Sequence, residues 1–388
     1  MIEEFRKLFG SAEGVRIYRA PGRVNLIGEH TDYNLGFVCP VALQLATYVA
    51  AAPAQDDRLR LYSEDRRELR VFDAARIAAA KREGHWTDYP VGVARELAIA
   101  GFPIRPANLL IRSTVPEGSG LSSSAALEVS SALALLAGRS MPPLDVARLC
   151  LRAERDFVGL PCGIMDQYIS VFGRRHFAVE IDCRSLEHQD VPLSPDAAFV
   201  AVNSMVKHAL ADSAYKERVE ECASAVRGIS LRFPTVRSLR DVSPNQFGEV
   251  SKQLAPLIAR RARHVVYENW RVEQFREAGF SGDLARMGQL MVESHRSLQY
   301  DYEVSSAELD FLVDRALELP GVLGSRMTGG GFGGCTVTLL RPEFVDRFRH
   351  DIAKSYEERF GVTPKMYECS PSDGAAEVEQ PEAVPAAS

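Results

Sequence analysis

Residues 22–33 read Gly-Arg-Val-Asn-Leu-Ile-Gly-Glu-His-Thr-Asp-Tyr, so Arg23, Glu29, His30, Asp32 and Tyr33 crowd into one short stretch with two glycines and a brief apolar run. A hydrophobic core has no use for that density of ionisable groups. A pocket for a polyhydroxylated ligand does, because every sugar hydroxyl seeks both a donor and an acceptor. A second stretch, residues 116–126, contains Gly118, Ser119, Gly120, Leu121, Ser122, Ser123, Ser124 and Ala125, and leads into an apolar run. Glycines let backbone N–H groups approach a ligand closely. Serines opening a helix place unpaired N–H groups and the positive end of the dipole where an anion can sit. The serine hydroxyls can also bind phosphate oxygens or Mg²⁺. No Gly-Lys-Ser/Thr follows, so this is not a P-loop and supplies no lysine. The compensating positive charge must come from elsewhere, with Arg23 and a metal ion as candidates.

A third stretch, residues 328–335, has five glycines in eight residues and carries Phe332. A flexible linker would be polar and without an aromatic. Between two strand-like runs, close backbone approach to a ligand or to the first domain is the better reading.

The elements that must hold these stretches follow from periodicity. Strands are expected at 15–18, 38–52, 109–111, 177–181, 199–202, 322–326 and 336–340, with a hairpin over 59–62 and 69–72. Helices are expected at 91–100, 125–136, 144–158, 283–298, 306–317 and 344–359, helices dominating beyond residue 212. The mixture is α+β. With 388 residues two domains are expected: residues 1–200 with the sugar and phosphate stretches, and 201–370. Residues 371–388 are rich in Ala, Glu, Pro and Ser without an aromatic, and are expected to be disordered.

Composition narrows the partners. A net charge of -6 argues against nucleic acid or an anionic membrane. No run approaches the ~20 apolar residues of a spanning helix, and the N-terminus lacks the apolar core of a signal peptide. Seven cysteines, without a paired or zinc-like spacing, read as reduced thiols of a cytoplasmic protein. A monomer is the default expectation.

With the three stretches in this order, the chain resembles the galactokinase family of the GHMP small-molecule kinase superfamily, to about residue 370. The resemblance implies an N-terminal domain like ribosomal S5 domain 2, a C-terminal ferredoxin-like domain, and an active site in the cleft between them. It implies phosphorylation of the C1 hydroxyl of α-D-galactose by ATP, with Mg²⁺, as the first committed step of galactose metabolism. By position, Asp166 matches the catalytic aspartate, acting either as general base toward the C1 hydroxyl or mainly through positioning and charge, and Arg23 its charged neighbour; Glu29, His30, Asp32, Gly163 and Tyr215 match the sugar pocket. Gly118 to Ala125 match the ATP phosphate segment, Trp86 and Tyr89 the aromatics near adenine, and Glu154 with a serine of the triplet, Ser124 ahead of Ser123, the Mg²⁺ ligands. Residues 203–208, ending at His208, match the strand and loop completing the sugar pocket. Cys39 departs from the leucine of many relatives, and Met205 and Lys207 differ near the sugar loop. Rival implications are a related kinase for N-acetylgalactosamine or L-arabinose, and a non-catalytic sensor of galactose and ATP. The complete Ser122–Ala126 run, with Asp166 and Arg23 in place, disfavours the sensor.

Overall fold

A computed structural model describes residues 1–207 and 211–379; His208 lies outside them. Helix α1 (Ile2–Phe9) precedes β1 (Arg16–Asn25), β2 (Phe37–Val38), β3 (Pro40–Pro53) and the hairpin β4 (Arg58–Ser63) and β5 (Glu68–Asp73). Then come α2 (Asp88–Ile99), β6 (Ala107–Ser113), α3 (Ser123–Leu136), α4 (Pro143–Arg152), α5 (Met165–Phe172), β7 (Phe177–Asp182) and β8 (His188–Pro192). The second half runs β9 (Ala198–Lys207), α6 (Ala211–Ser230), α7 (Pro244–Val250), α8 (Pro256–Ser281), α9 (Leu284–Ser297), α10 (Ala307–Leu317), β10 (Val322–Thr328), β11 (Gly333–Leu340), α11 (Val345–Phe360), β12 (Lys365–Glu368) and β13 (Ala376–Glu377).

Three sheets result. The first has strand order β13-β1-β3-β6-β4-β5, the second β10-β11-β9-β12, and the third β2-β7-β8. Apolar α3 lies on β1 and β3, which points its N-terminal serines at the end of β1 where the polar stretch begins. In the second half α9 lies directly on β10. Side chains at Gly288 or Gly324 would collide with the facing backbone, so both glycines are what lets helix and strand touch. The architecture is α+β with two bodies, each with its own apolar core. The second sheet begins at Ala198, slightly before the expected division at residue 200.

Two expectations change. The helix expected over 144–158 is α-helical only to Arg152; Ala153–Val158 form a π-helical turn closed by Gly159 in the left-handed conformation. The expected disordered tail is ordered through residue 379. β13 joins the first sheet beside β1, pairing Tyr18 with Glu377 and Arg19 with Ala376. Arg19 donates to Ser372 Oγ at 3.0 Å and to the Asp373 carbonyl at 2.9 Å, and Ser372 N donates to the Ala42 carbonyl at 2.9 Å. Low hydrophobicity hid a strand held by backbone pairing rather than by apolar burial. Among the described residues no helix is long and apolar enough to cross a membrane.

Candidate active site

The polar stretch is clamped from below by its own apolar residues. Val24, Leu26 and Ile27 are fully buried. Gly28 takes φ 99°, and a Cβ there would lie 2.7 Å from the Phe37 carbonyl. Thr31 Oγ1 donates to the Gly28 carbonyl at 2.8 Å, and Asn34 Nδ2 to the His30 carbonyl at 2.9 Å. These bonds hold His30 at φ 62°, a left-handed conformation uncommon for a residue with a side chain. The loop is therefore built before any ligand arrives.

Arg23 follows a register shift in β1 and is 6% exposed. Its Nε donates to Asp166 Oδ1 at 2.8 Å and its Nη2 to Asp166 Oδ2 at 2.7 Å, a two-pronged pair that fixes the carboxylate's plane. Arg23 Nη1 donates to the Gly120 carbonyl at 2.6 Å, and Ser122 Oγ donates to Asp166 Oδ2. Asp166, in the first turn of α5, is thus tied to the sugar loop and to the phosphate segment together.

A cavity of about 180 Å³ opens beside this pair. Glu29, His30, Asp32, Gly163 and Tyr215, the expected sugar residues, all line it with Arg23 and Asp166; Cys162, Met165, Gly329 and Gly330 complete the wall. Burial, with Asp166 nearby, pushes Asp32 up to about 6. Burial, with His264 nearby, pushes His30 down to about 3, so its ring is neutral. His30 Nδ1 meets Tyr33 Oη at 2.8 Å and Nε2 meets the Gly330 carbonyl at 3.2 Å. A side chain on Gly163 would run into the Asp32 carboxylate. Tyr215 packs against the His30 and Tyr33 rings at 5.5 and 5.4 Å. Glu29 lines the cavity but is only 2% exposed. Arg326 at 2.8 Å, Gly329 N at 2.7 Å, Thr328 Oγ1 at 3.1 Å and Asn25 Nδ2 all donate to it, which uses its four acceptor sites. A hydroxyl reaching Glu29 must join or displace one of these.

A larger cavity of about 490 Å³ lies on the other side of the phosphate segment. Trp86, Tyr89, Gly118, Ser123 and Ser124 line it, together with Arg66 and Arg82. Ala126 is the first residue whose amide bonds back along α3, to the Ser122 carbonyl at 3.2 Å, so the N–H groups before it face the cavity end of the helix unpaired. Ser119, Leu121 and Ala125 are fully buried, and Ser119 Oγ is spent on the Pro116 carbonyl at 2.7 Å. Their side chains shape the segment and only their backbone is left for a phosphate. The third glycine stretch serves both bodies: Gly329 and Gly330 wall the small cavity, while Cys335 Sγ donates to the Ser119 carbonyl at 2.8 Å.

Glu154 sits on the π-helical turn, 5% exposed, with its ordinary pKa raised by burial and by Asp166. The Ser124 hydroxyl lies beside it, and among the described residues no Lys or Arg pairs with it. A hydroxyl and an uncompensated carboxylate side by side suit a divalent cation that takes its other ligands from phosphate and water. No group of three or more His, Cys, Asp or Glu able to hold a metal occurs among the described residues. The sequence reasoning did not single out Arg326, fully buried under Glu29, nor Glu128 and Gln167 beneath Glu154. Glu128 did leave a signal, as the lone charge in the apolar run of α3.

Three family profiles match the chain. The galactokinase galactose-binding signature covers residues 3–53, the GHMP kinases N terminal domain 73–174, and the GHMP kinases C terminal region 272–358. A galactokinase of Roseiflexus sp. (strain RS-1) is 47% identical over 378 residues, 97% of this chain and 96% of that protein. One of Chloroflexus aggregans (strain MD-66 / DSM 9485) is 46% identical over 374 residues, 96% and 95%. The crystal structure of Lactococcus lactis galactokinase complexed with galactose superposes with a TM-score of 0.93 at 36% identity, covering 97% of this chain and 98% of that one. A mevalonate kinase structure, at 16% identity and TM-score 0.64 over 92% and 99%, shares the fold. Near-complete coverage at this identity, on a signature loop whose ionisable residues converge on one cavity, makes this chain a member of the galactokinase family of GHMP kinases.

Proposed function

We propose that the chain transfers the γ-phosphoryl group of ATP to the C1 hydroxyl of α-D-galactose, giving galactose 1-phosphate and ADP in the cytoplasm. The observation that carries this reading is the Arg23–Asp166 pair, held in the wall of a small polar cavity at the point where the phosphate segment crosses. The galactose in the L. lactis relative supports the choice of sugar.

Galactose fills the small cavity with His30, Asp32, Gly163, Tyr215 and Glu29 around its hydroxyls and C1 toward Asp166. ATP lies in the larger cavity with adenine near Trp86 and Tyr89 and its phosphates along residues 118–125. Asp166 accepts the C1 proton, a step that typically contributes ~10²–10⁴-fold. His30 is not the base, because both ring nitrogens are engaged and its affinity for a proton is low. Arg23 offsets charge developing on the transferred oxygens. Ser124 and Glu154 would hold Mg²⁺, which when bound would offset the negative charge of the nucleotide phosphates.

The test is ADP release with ATP and Mg²⁺ against galactose, glucose, N-acetylgalactosamine and L-arabinose in parallel. Turnover with galactose, lost in Asp166→Ala while calorimetric galactose binding survives, is expected. Preference for another sugar overturns the substrate, and binding without turnover on any sugar overturns the kinase reading.

A further inference from the structure

Beneath Glu154 lies a buried pair that the mechanism does not use. Glu128, in the middle of α3, and Gln167, next to Asp166 on α5, are both fully buried. Gln167 Nε2 donates to Glu154 Oε2 at 2.6 Å and to Glu128 Oε2 at 2.9 Å. Both of its N–H groups are thereby spent on carboxyl groups, and the opposite amide orientation would set Oε1 against two acceptor oxygens. Glu128 receives only this bond, and its Oε1 has no partner. A carboxyl group so poorly satisfied in an apolar helix costs the fold more than a leucine of similar size. Its service must be sought in what it holds, and it holds Gln167.

We infer that Glu128 and Gln167 are positioning residues that fix the Glu154 carboxylate for the divalent cation of the bound nucleotide. Gln167 and Cys162 Sγ, the latter at 3.3 Å, both bond to Glu154 Oε2, leaving Oε1 clear of them. Glu128 pins the amide from the far side, so that it cannot rotate away from Glu154. Because Gln167 adjoins Asp166, the same contact sets the register of the cation ligand against the proton acceptor. The inference rests on Glu154 being the cation ligand proposed above.

Mn²⁺ binding to the enzyme–ADP complex, followed by electron paramagnetic resonance of free Mn²⁺, tests both layers. Outer-shell partners of a metal ligand are commonly worth ~10–100-fold in affinity. Glu128→Leu and Gln167→Leu are expected to weaken Mn²⁺ at least about tenfold, while galactose binding by calorimetry is unchanged. Glu128→Gln keeps an oxygen that accepts from Gln167 and is expected to retain parental affinity. Parental Mn²⁺ binding in Gln167→Leu, or Glu128→Gln as weak as Glu128→Leu, overturns the inference. Should Glu128→Leu not fold, Gln167→Leu and Glu128→Gln decide alone. Glu154→Gln separates the layers: if it binds Mn²⁺ as the parent does, the cation-ligand reading itself has failed.

Discussion

Replacing Asp32 with Asn should weaken galactose binding and, at the same time, stabilise the ligand-free protein. Asp32 is raised from 3.8 to about 6 by burial and by Asp166, a shift of about two pH units, or about 3 kcal/mol at ~1.4 kcal/mol per unit. Asp32 remains partly exposed in its cavity, and screening brings the figure to about 1–3 kcal/mol. The sign follows from proton counting. Between about pH 4 and 6 the folded state holds a proton on Asp32 that the unfolded state has lost, so stability falls as pH rises through that window and the full cost stands above it. Asn carries no such cost. Urea denaturation without sugar should show the variant's advantage growing by about 1 kcal/mol between pH 5 and pH 7.5. Calorimetry should show galactose binding weakened about 10–100-fold, the worth of a hydrogen bond to a charged group at ~1.5–3 kcal/mol. An advantage that stays constant or shrinks with pH would refute the burial argument, and unchanged galactose affinity would refute the pocket role.

Other perturbations give separate readouts. Arg23→Met should lower kcat by about 10²–10³-fold, from ~2.7–4 kcal/mol of lost charge stabilisation, and steady-state kinetics with near-normal turnover would reject its role. Gly163→Ala should drive a methyl group into the Asp32 carboxylate and raise KM for galactose far more than KM for ATP; equal changes would contradict the placement. His30 should give no imidazole titration between pH 5 and 9, since its pKa lies near 3, and nitrogen-15 NMR showing a midpoint in that range would overturn its burial. Ending the chain after Cys369 removes the bonds from Ser372 to Ala42, Gly374 to Gly173 and Ala375 to Ser170. At about 1 kcal/mol each their loss should lower the thermal midpoint measurably, and an unchanged midpoint would show the tail to be incidental.

Much of this was legible in the residues because the relevant forces are local. The β4–β5 hairpin alternates as a half-buried pair must, and the serine triplet marks the start of α3, although Ser122 Oγ goes to Asp166 rather than to a cap. The signature residues were found because no core tolerates them unpaired. Elsewhere tertiary context decided. β1 runs through Pro21 and Gly22 to Asn25, where the residues suggested a break, because a register shift absorbs the proline. Arg326 looks like a surface residue on a strand, yet it is fully buried because Glu29, far off in sequence, balances its charge. On α8, Arg261 is likewise buried against Glu221 and Glu268 against Gly28 N and Ser294, partners that no local pattern names.

The returning strand β13 also bears on how the chain is made. Part of the edge of the first sheet, along β1, is covered by residues made after the whole second sheet. As the N-terminal half folds on the ribosome, its edge strand stays open until the C-terminal half has emerged. An open edge is a template for pairing with another chain, so the nascent protein leaves β1 exposed around Tyr18 and Arg19 throughout synthesis of the second half. Ala376 and Glu377 then cover it at Arg19 and Tyr18.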